Sequence, residues 1–400
     1  MTNEELIKTA KQLISIPSTA DNPAALKEAV DLVASLLEGH TDITVERFEE
    51  NGKSSLLAYY GEVRPERFDV LLNAHLDVVP AHPEQFAARL EGNKLFGRGS
   101  YDMKVSALVL TDLFRTAGRT SPHLIGLQIV TDEEVGGENG VVLQAKQGVD
   151  ARFVVSGEMT DLRVCNETRG LCWVDIHFKG VGAHGGYAWD GSNAVVKAST
   201  MASALLAKFP LPDKQEWQTT ANISAIMTEN NTYNRVPDNA ILRVDFRFTP
   251  EDPIFDNKDT VRAFIAQLDP EVEVTFHTFD PGVKVDEANP YLRSFLSVLQ
   301  ETTGKITDPI RRYGSSDARH FAARGIPCIE FGLSGKGMHG GAEYVDLDSI
   351  APFKATIQKF LHNPILSGQP TINYAAYEPA SDRLLLKHPA ASSPQELLTT

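Results

Sequence analysis

The order of strand-like and helix-like stretches constrains the fold of this chain more than any other feature of its sequence. Short apolar runs at residues 70–72, 125–130 and 152–155 are typical of buried strands. The stretch at residues 103–116 has apolar side chains at helical spacing and lies between two of these runs. Such alternation is typical of βαβ units, and it predicts an α/β fold with a mostly parallel sheet.

The order of elements changes at about Arg169. From there the pattern predicts four strands and two helices in the order β-α-β-β-α-β, at residues 173–179, 193–208, 221–228, 240–248, 260–268 and 272–278. This order is the signature of the ferredoxin-like, split βαβ unit. We therefore predict a ferredoxin-like domain at residues 170–286, inserted into a discontinuous α/β domain made of residues 1–169 and 287–363.

Composition limits the classes of protein to which the chain can belong. It has 400 residues, and this length favours two domains over one. The net charge of −15 argues against binding to nucleic acids or anionic membranes, which requires a basic surface. The sequence contains no apolar run of transmembrane length, no signal-peptide pattern at its N-terminus and too few cysteines for a disulfide framework. We expect a cytoplasmic protein with a polar extension at residues 364–400.

Acidic and histidine side chains lie just beyond the ends of the predicted strands. They are His75, Glu133, Glu134, Glu158 and His339. In open α/β sheets, ligands bind outside the carboxyl ends of the strands. Imidazole and carboxylate groups are the ligands that zinc and similar metals prefer. The sequence therefore predicts a metal site at this edge of the sheet, and a metal site suggests hydrolytic chemistry.

Each of these residues also has an ordinary explanation. A single histidine after a strand is more often a polar residue of the surface or the core than a ligand. The pair Glu133-Glu134 could be a solvated acidic turn, although Gly136-Gly137 would let the backbone bend and bring both carboxylates to one site. Taken together, the residues are harder to explain by chance.

Two aspartates near these positions have specific geometric explanations. Asp77 follows His75 at a spacing that would let its carboxylate hold the imidazole by a hydrogen bond. Asp102 directly precedes the helix predicted at residues 103–116, where it would serve as the N-cap.

Three segments carry motifs of a known family. They read NAHLDVVP at residues 73–80, GRGSYDMK at 97–104 and TDEEVG at 131–136. In order and spacing they closely resemble the co-catalytic dizinc amidohydrolase/peptidase family, which includes acetylornithine deacetylase, succinyl-diaminopimelate desuccinylase, aminoacylase, cytosolic dipeptidases and glutamate carboxypeptidase. The resemblance extends to about His362. It implies a zinc-hydrolase catalytic domain with an inserted lid and dimerisation domain.

The resemblance also implies how the metal site is divided. His75 and Glu158 would bind one metal ion, Glu134 and His339 would bind the other, and Asp102 would bridge both. Two divalent ions are implied, most simply Zn²⁺, and the ligand types also suit Co²⁺ or Mn²⁺.

Two further implications concern the reaction and the backbone. Glu133 would act as the general base, taking a proton from water and returning it to the leaving amine. Asp77 would orient His75, as its spacing alone suggests. The family often has a cis peptide after its bridging aspartate, here between Asp102 and Met103.

The resemblance extends to the inserted domain. His184 lies in a GVGAHGG segment similar to the family's lid motif, so it would reach the active site of a partner subunit and stabilise an oxyanion. Asn234 and Arg247 would bind a substrate carboxylate, and Arg169 resembles a substrate-contacting arginine of the desuccinylases. The ordinary explanation of Arg247 is a surface salt bridge. Arg235 replaces a residue that is usually small and aliphatic, and it either adds charge near the substrate or faces solvent. A homodimer through this domain is implied.

The predicted activity is metal-dependent hydrolysis of an amide bond in a small substrate that carries a carboxylate. The motifs leave open whether the substrate is an N-acyl amino acid or a dipeptide and C-terminal residue. The alternative from another class is a catalytically silent relative that acts as a binding or scaffold protein.

Overall fold

A computed structural model describes residues 1–367 of the chain. The predicted polar extension at 364–400 lies outside the described residues, apart from a short turn of 3₁₀ helix at Pro364–Ser367. Among residues 1–367, no helix is both long and apolar enough to span a membrane.

The described residues contain both strands and helices along their whole length. The strands are β1 (Ile43–Glu50), β2 (Lys53–Tyr60), β3 (Val70–His75), β4 (Arg89–Glu91), β5 (Lys94–Phe96), β6 (Ile125–Val130), β7 (Val154–Ser156), β8 (Cys165–Thr168), β9 (Gly170–Lys179), β10 (Thr220–Met227), β11 (Asn239–Phe248), β12 (Glu273–Asp280), β13 (Ile310–Arg312), β14 (Cys328–Glu330), β15 (Gly335–Lys336) and β16 (Tyr344–Asp346). The helices are α1 (Asn3–Ser15), α2 (Pro23–Ser35), α3 (Lys104–Leu113), α4 (Val141–Lys146), α5 (Ala194–Lys208), α6 (Lys258–Leu268), α7 (Pro290–Thr303), α8 (Ala318–Ala322) and α9 (Ile350–Phe360).

An eight-stranded sheet forms the centre of the larger part of the molecule. Its strand order is β1-β2-β6-β3-β7-β14-β8-β13. The inner strands β6, β3, β7 and β14 are mutually parallel, whereas β1, β2 and the β14–β8 pair are antiparallel. Every residue of β3 and β6 is buried, because helices cover both faces of a sheet of this type. The predicted α/β class with a mostly parallel sheet is confirmed.

The inserted segment forms a second, four-stranded sheet in the order β10-β11-β9-β12. All its pairings are antiparallel, and together with α5 and α6 this order gives the ferredoxin-like topology. Alternate residues of β11 are buried, so one face packs in a separate apolar core while the other is open. Val283 and Val285 already pack in the larger core. We therefore place the return of the chain slightly before the predicted boundary at residue 286.

Two local features differ from the sequence-based predictions. A small antiparallel sheet, β15-β16-β5-β4, was not predicted, since its strands are only two or three residues long and show no periodic pattern. The helix predicted at residues 103–116 ends its regular α-helical part at Leu113 and continues as a wider π-type turn at Phe114–Gly118.

Candidate active site

Side chains from three separate segments form a first group of potential metal ligands. His75 is the last residue of β3, Glu158 follows β7, and Asp102 precedes α3. The Nε2 atom of His75 lies 3.1 Å from Oδ1 of Asp102 and 3.7 Å from Oε1 of Glu158. All three residues are buried. The strands β3 and β7 are adjacent and parallel, so their carboxyl ends deliver His75 and Glu158 to the same edge.

A second group shares Asp102 with the first. The Nε2 atom of His339 lies 3.2 Å from Oδ2 of Asp102 and 3.1 Å from Oε1 of Glu134. Within each group, one donor atom from each residue lies within 4.8 Å of the others. The structure thus brings together all five residues that were predicted as metal ligands. We call His75, Asp102, Glu134, Glu158 and His339 the metal pocket.

The prediction that Asp102 caps α3 is wrong. The residue at the cap position is Met103, and no side chain caps the helix. The carboxylate of Asp102 instead contacts His75 and His339. The cis peptide between Asp102 and Met103 is present, as the resemblance implied.

The buried carboxylate of Glu343 holds the backbone beside Asp102. Its Oε1 atom accepts hydrogen bonds from the backbone N–H groups of Tyr101 and Asp102, at 3.0 and 3.1 Å. Arg98 pairs with the other oxygen of Glu343. This contribution was missed at the sequence level, because Glu343 lies far from Asp102 in the chain and matches no predicted strand end.

The orientation of His75 depends on Asp77 in two ways. The Nδ1 atom of His75 lies 3.0 Å from the backbone carbonyl oxygen of Asp77 and 3.4 Å from its carboxylate Oδ1. The hydrogen bond therefore goes to the carbonyl rather than to the predicted carboxylate. The other carboxylate oxygen accepts a hydrogen bond from the backbone N–H of Glu134, at 2.9 Å. With Nδ1 occupied as a donor, Nε2 of His75 is left to act as a ligand.

The charges in the metal pocket are strongly coupled. Burial opposes ionisation of Asp102, but hydrogen bonds from His339 and His75 outweigh it and lower its pKa. Burial and the charge of Asp102 raise the pKa of Glu158 to about 8. Hydrogen bonds to Asp102 and Glu134 raise the pKa of His339 to about 10. These groups compete for protons that a bound cation would displace.

Glu133 and Glu134 diverge from a single tight turn. The chain makes a 3₁₀ turn at Glu133–Val135 and then bends through Gly136 and Gly137, whose φ angles are 117° and 74°. This is the bend that the two glycines were predicted to permit. Glu134 faces His339, whereas Glu133 accepts a hydrogen bond from Nη1 of Arg319 at 3.3 Å. Burial raises the pKa of Glu133 well above its usual value, against the opposing charges of His75 and Arg319.

His184, Asn234 and Arg235 lie in two loops of the inserted domain, which we call the lid loops. The contacts that hold them come from these loops rather than from the metal pocket. The Nδ1 atom of His184 accepts a hydrogen bond from the backbone N–H of Gly186 at 3.0 Å, and its ring packs on Tyr187. Asn234 is exposed, and its backbone carbonyl oxygen accepts a hydrogen bond from the backbone N–H of Gly185. Arg235 is exposed and pairs with Asp238 in its own loop.

Arg169, at the entrance to the inserted domain, lies near Arg247 on β11. Arg247 donates from Nε to Oδ1 of Asp245 at 2.9 Å, and its backbone pairs with that of Thr220. Arg169 donates to the hydroxyl of Thr220 at 3.4 Å and stacks on Tyr313. Burial and the charge of Arg247 lower the pKa of Arg169. The two positive charges are therefore near enough for one to act on the other.

Comparison with known proteins identifies the family. The sequence profile of peptidase family M20/M25/M40 matches residues 71–363. This protein belongs to that family. The metal pocket, Glu133 and the inserted domain all lie within the matched region.

Related M20 sequences and structures cover most of the chain. It is 27% identical to succinyl-diaminopimelate desuccinylase from Xanthobacter autotrophicus over 82% of its length and 91% of that protein. It is 28% identical to the enzyme of the same name from Gluconacetobacter diazotrophicus over 88% of its length and 95% of that protein.

Two solved structures show the same fold at lower sequence identity. An M20 family metallo-carboxypeptidase from Sulfolobus solfataricus superposes with a TM-score of 0.66 at 16% identity, covering 90% of this chain and 98% of the other. A dinuclear metal-binding M20 peptidase from Bacillus subtilis gives 0.64 at 14% identity, with 91% and 98% covered.

The chain is therefore a member of a family of metal-dependent amide hydrolases, and its donor atoms suit divalent cations. Two imidazoles and three carboxylates form two groups that share one member, as a dinuclear site requires. Arg319 and Glu343, which support this site, were not identified from the sequence. Their charge was the only signal in the sequence that could have indicated them. It was not sufficient, because the contacts of both residues depend on the tertiary fold.

Proposed function

We propose that this protein hydrolyses an amide bond in a small substrate that carries a carboxylate. The observation that carries the proposal is the pair of potential ligand groups that share Asp102. The carboxylate of Glu133 belongs to the same 3₁₀ turn as Glu134, which is a member of one of these groups. The five residues of the metal pocket would hold two Zn²⁺ ions, with Asp102 between them. Bound metal ions would lower the pKa of water and polarise the scissile carbonyl.

Glu133 is the proposed general base. Its side chain is only 10% exposed, and it adjoins the proposed ligand Glu134 in sequence. A raised pKa suits a carboxylate that must accept a proton from water and later return it to the leaving amine. Asp77 would keep His75 in the orientation that leaves Nε2 free, through the carbonyl contact described above.

The inserted domain would act as a lid that binds the carboxylate of the substrate. Arg247 and Asn234 are the proposed contacts, and Arg169 lies close enough to Arg247 to add positive charge. His184 would complete the site of a partner subunit by stabilising the oxyanion, which is why we propose a homodimer through the lid. The exposure of the loops around His184 supports this proposal.

The substrate would be either an N-acyl amino acid or a dipeptide. The names of the related desuccinylases favour the acyl amino acid, and the two arginines on the lid suit an acidic substrate. A panel of acetyl-amino acids, succinyl-amino acids and dipeptides, followed by amine release, would separate the two classes.

The test of the mechanism combines metal analysis with Glu133→Gln. We expect close to two zinc ions per subunit, and in Glu133→Gln a loss of kcat of about 10²- to 10⁴-fold with the metal retained. A silent binding protein would instead show no turnover across the panel. Wild-type activity in Glu133→Gln, with fewer than one metal ion per subunit, would overturn the mechanism.

A further inference from the structure

We propose that Arg319 is a positioning residue that links the general base Glu133 to the lid through Asp280. This inference rests on the proposed function, because it assigns Arg319 a role through Glu133. It concerns a contact between the larger α/β domain and the inserted domain. This contact involves neither the metal pocket nor the arginines proposed to bind the substrate.

Arg319 lies between two carboxylates from different parts of the chain. It is on α8 and is only 5% exposed. Its Nη1 atom donates a hydrogen bond to Oε1 of Glu133 at 3.3 Å. Its Nε atom lies 3.2 Å from Oδ2 of Asp280, in a charge contact without hydrogen-bond geometry. One guanidinium therefore contacts the base with one nitrogen and the inserted domain with another.

Asp280 connects this guanidinium to the sheet of the lid. It is the last residue of β12, and it pairs with Leu171 at the start of β9. These positions lie where the chain leaves and enters the inserted domain. A change in the placement of the lid sheet would therefore move the carboxylate that faces Arg319.

A third carboxylate, that of Asp317, competes with Glu133 and Asp280 for the Arg319 guanidinium. Asp317 lies two residues earlier on the chain, is buried, and has no hydrogen-bond partner for either carboxylate oxygen among the described residues. Its charge and those of Glu133 and Asp280 all act on the Arg319 guanidinium. A buried carboxylate without hydrogen-bond partners is costly, so it attracts any donor that becomes free. Loss of the Asp280 charge would shift Arg319 toward Asp317 and away from Glu133.

The fixed fork of a guanidinium suits this task. It can contact two carboxylates at once while holding both in defined directions, which the single ammonium of lysine cannot do as well. By this mechanism, Asp280 affects the orientation of Glu133 without touching the substrate or the metal pocket. The effect should appear in kcat rather than in KM, because the base acts in the chemical step.

The experiment compares Asp280→Asn, Arg319→Met and the double variant. We expect Asp280→Asn to lower kcat about 3- to 20-fold, with KM and metal content unchanged. Arg319→Met should lower kcat further, and adding Asp280→Asn to it should cause little additional loss. Arg319→Lys and Asp280→Glu should each recover part of the activity, which a purely structural role would not predict. The matched control is Glu251→Gln, which removes a carboxylate that pairs with Lys284 at the same junction and should leave kcat unchanged.

Several outcomes would overturn the link. They are an unchanged kcat in Asp280→Asn, a change in KM alone, or losses that multiply in the double variant. Thermal unfolding of each variant shows whether a loss of activity comes from a loss of fold, and Asp280→Ser, which also removes the charge, replaces Asp280→Asn if the latter does not fold. Failure of the proposed function is separate, since Glu133→Gln would then remain active. If Glu133→Gln is inactive while Asp280→Asn is fully active, only the link is wrong.

Discussion

The metal pocket and the lid loops differ in what holds their side chains in place. Three residues of the metal pocket, His75, Asp102 and Glu158, are buried, and within each ligand group the donor atoms lie within 4.8 Å of one another. His339 lies in an exposed loop, but its Nε2 atom contacts the carboxylates of Asp102 and Glu134. The lid residues His184, Asn234 and Arg235 are exposed, and the contacts described above lie within or between their two loops.

In the proposed site, the metal pocket and the lid residues would therefore be held in place in different ways. The donor atoms of the metal pocket come from one chain and already lie together, so we expect this group to need no partner subunit. The lid residues are exposed to solvent, so we expect their role to depend on a substrate or a second subunit that contacts them.

The largest effect is expected from Asp102→Ala, because this carboxylate belongs to both ligand groups. We expect loss of both metal ions and a fall in kcat/KM of at least about 10⁴-fold. Metal per subunit by mass spectrometry and kcat/KM provide the measurement. Glu158→Gln is the comparison, since it affects one group and should retain one ion. Two tightly bound ions in Asp102→Ala would show that the pocket does not depend on its shared member.

His184→Ala tests whether the exposed lid half needs a second subunit. Loss of an oxyanion donor should lower kcat about 10²- to 10³-fold. Mixing equal amounts of His184→Ala and Glu133→Gln, with dissociation and reassociation, should restore about a quarter of wild-type activity. About half of the dimers would then contain one subunit of each kind, and one of the two sites in each such dimer would be intact. Activity assays and the molar mass in solution provide the measurement.

The control for this mixture is each variant incubated alone, which should stay inactive. No recovery in a mixture that demonstrably exchanges subunits would mean that His184 serves the chain to which it belongs. A monomeric wild-type protein with full activity would contradict the homodimer.

Arg247→Ala should weaken binding of substrates that carry a free carboxylate. A charge-assisted contact of this kind supports a loss of kcat/KM of about 10- to 10²-fold. The loss should be much smaller for substrates in which that carboxylate is blocked as an amide. The matched control is Arg243→Ala on the same strand, whose guanidinium is already held by Asp175 at 3.0 and 3.2 Å. Equal losses with both types of substrate would exclude Arg247 from the carboxylate site.

The two halves also differ in how far they could be predicted from the sequence. The apolar runs that became β3 and β6 are buried on both faces, so pattern alone located the strand ends and the acidic and histidine residues beside them. The order of elements in the inserted domain was equally readable, because its strands are long and alternate clearly.

Other features needed the tertiary structure. Asp102 looked like a helix cap because its position in the sequence is that of a cap, but contacts with two distant histidines decide its orientation. Arg319 precedes no motif and follows no strand, so nothing local indicated that it would reach Glu133. The small sheet escaped prediction because strands of two or three residues carry no period.

The smallest effect is expected from Arg235→Ala. Its guanidinium already pairs with Asp238, both side chains are partly exposed, and a surface pair of this kind contributes about 0–1 kcal/mol. We therefore expect kcat/KM to change by less than about twofold and the thermal unfolding midpoint to stay close to that of the wild type. Asp238→Asn should behave in the same way if the pair is only a surface contact. A large loss of kcat/KM in Arg235→Ala alone would instead mean that Arg235 leaves Asp238 to bind substrate. In that case the pairing of Arg235 with Asp238 in a single chain would not predict the role of Arg235 in the assembled site.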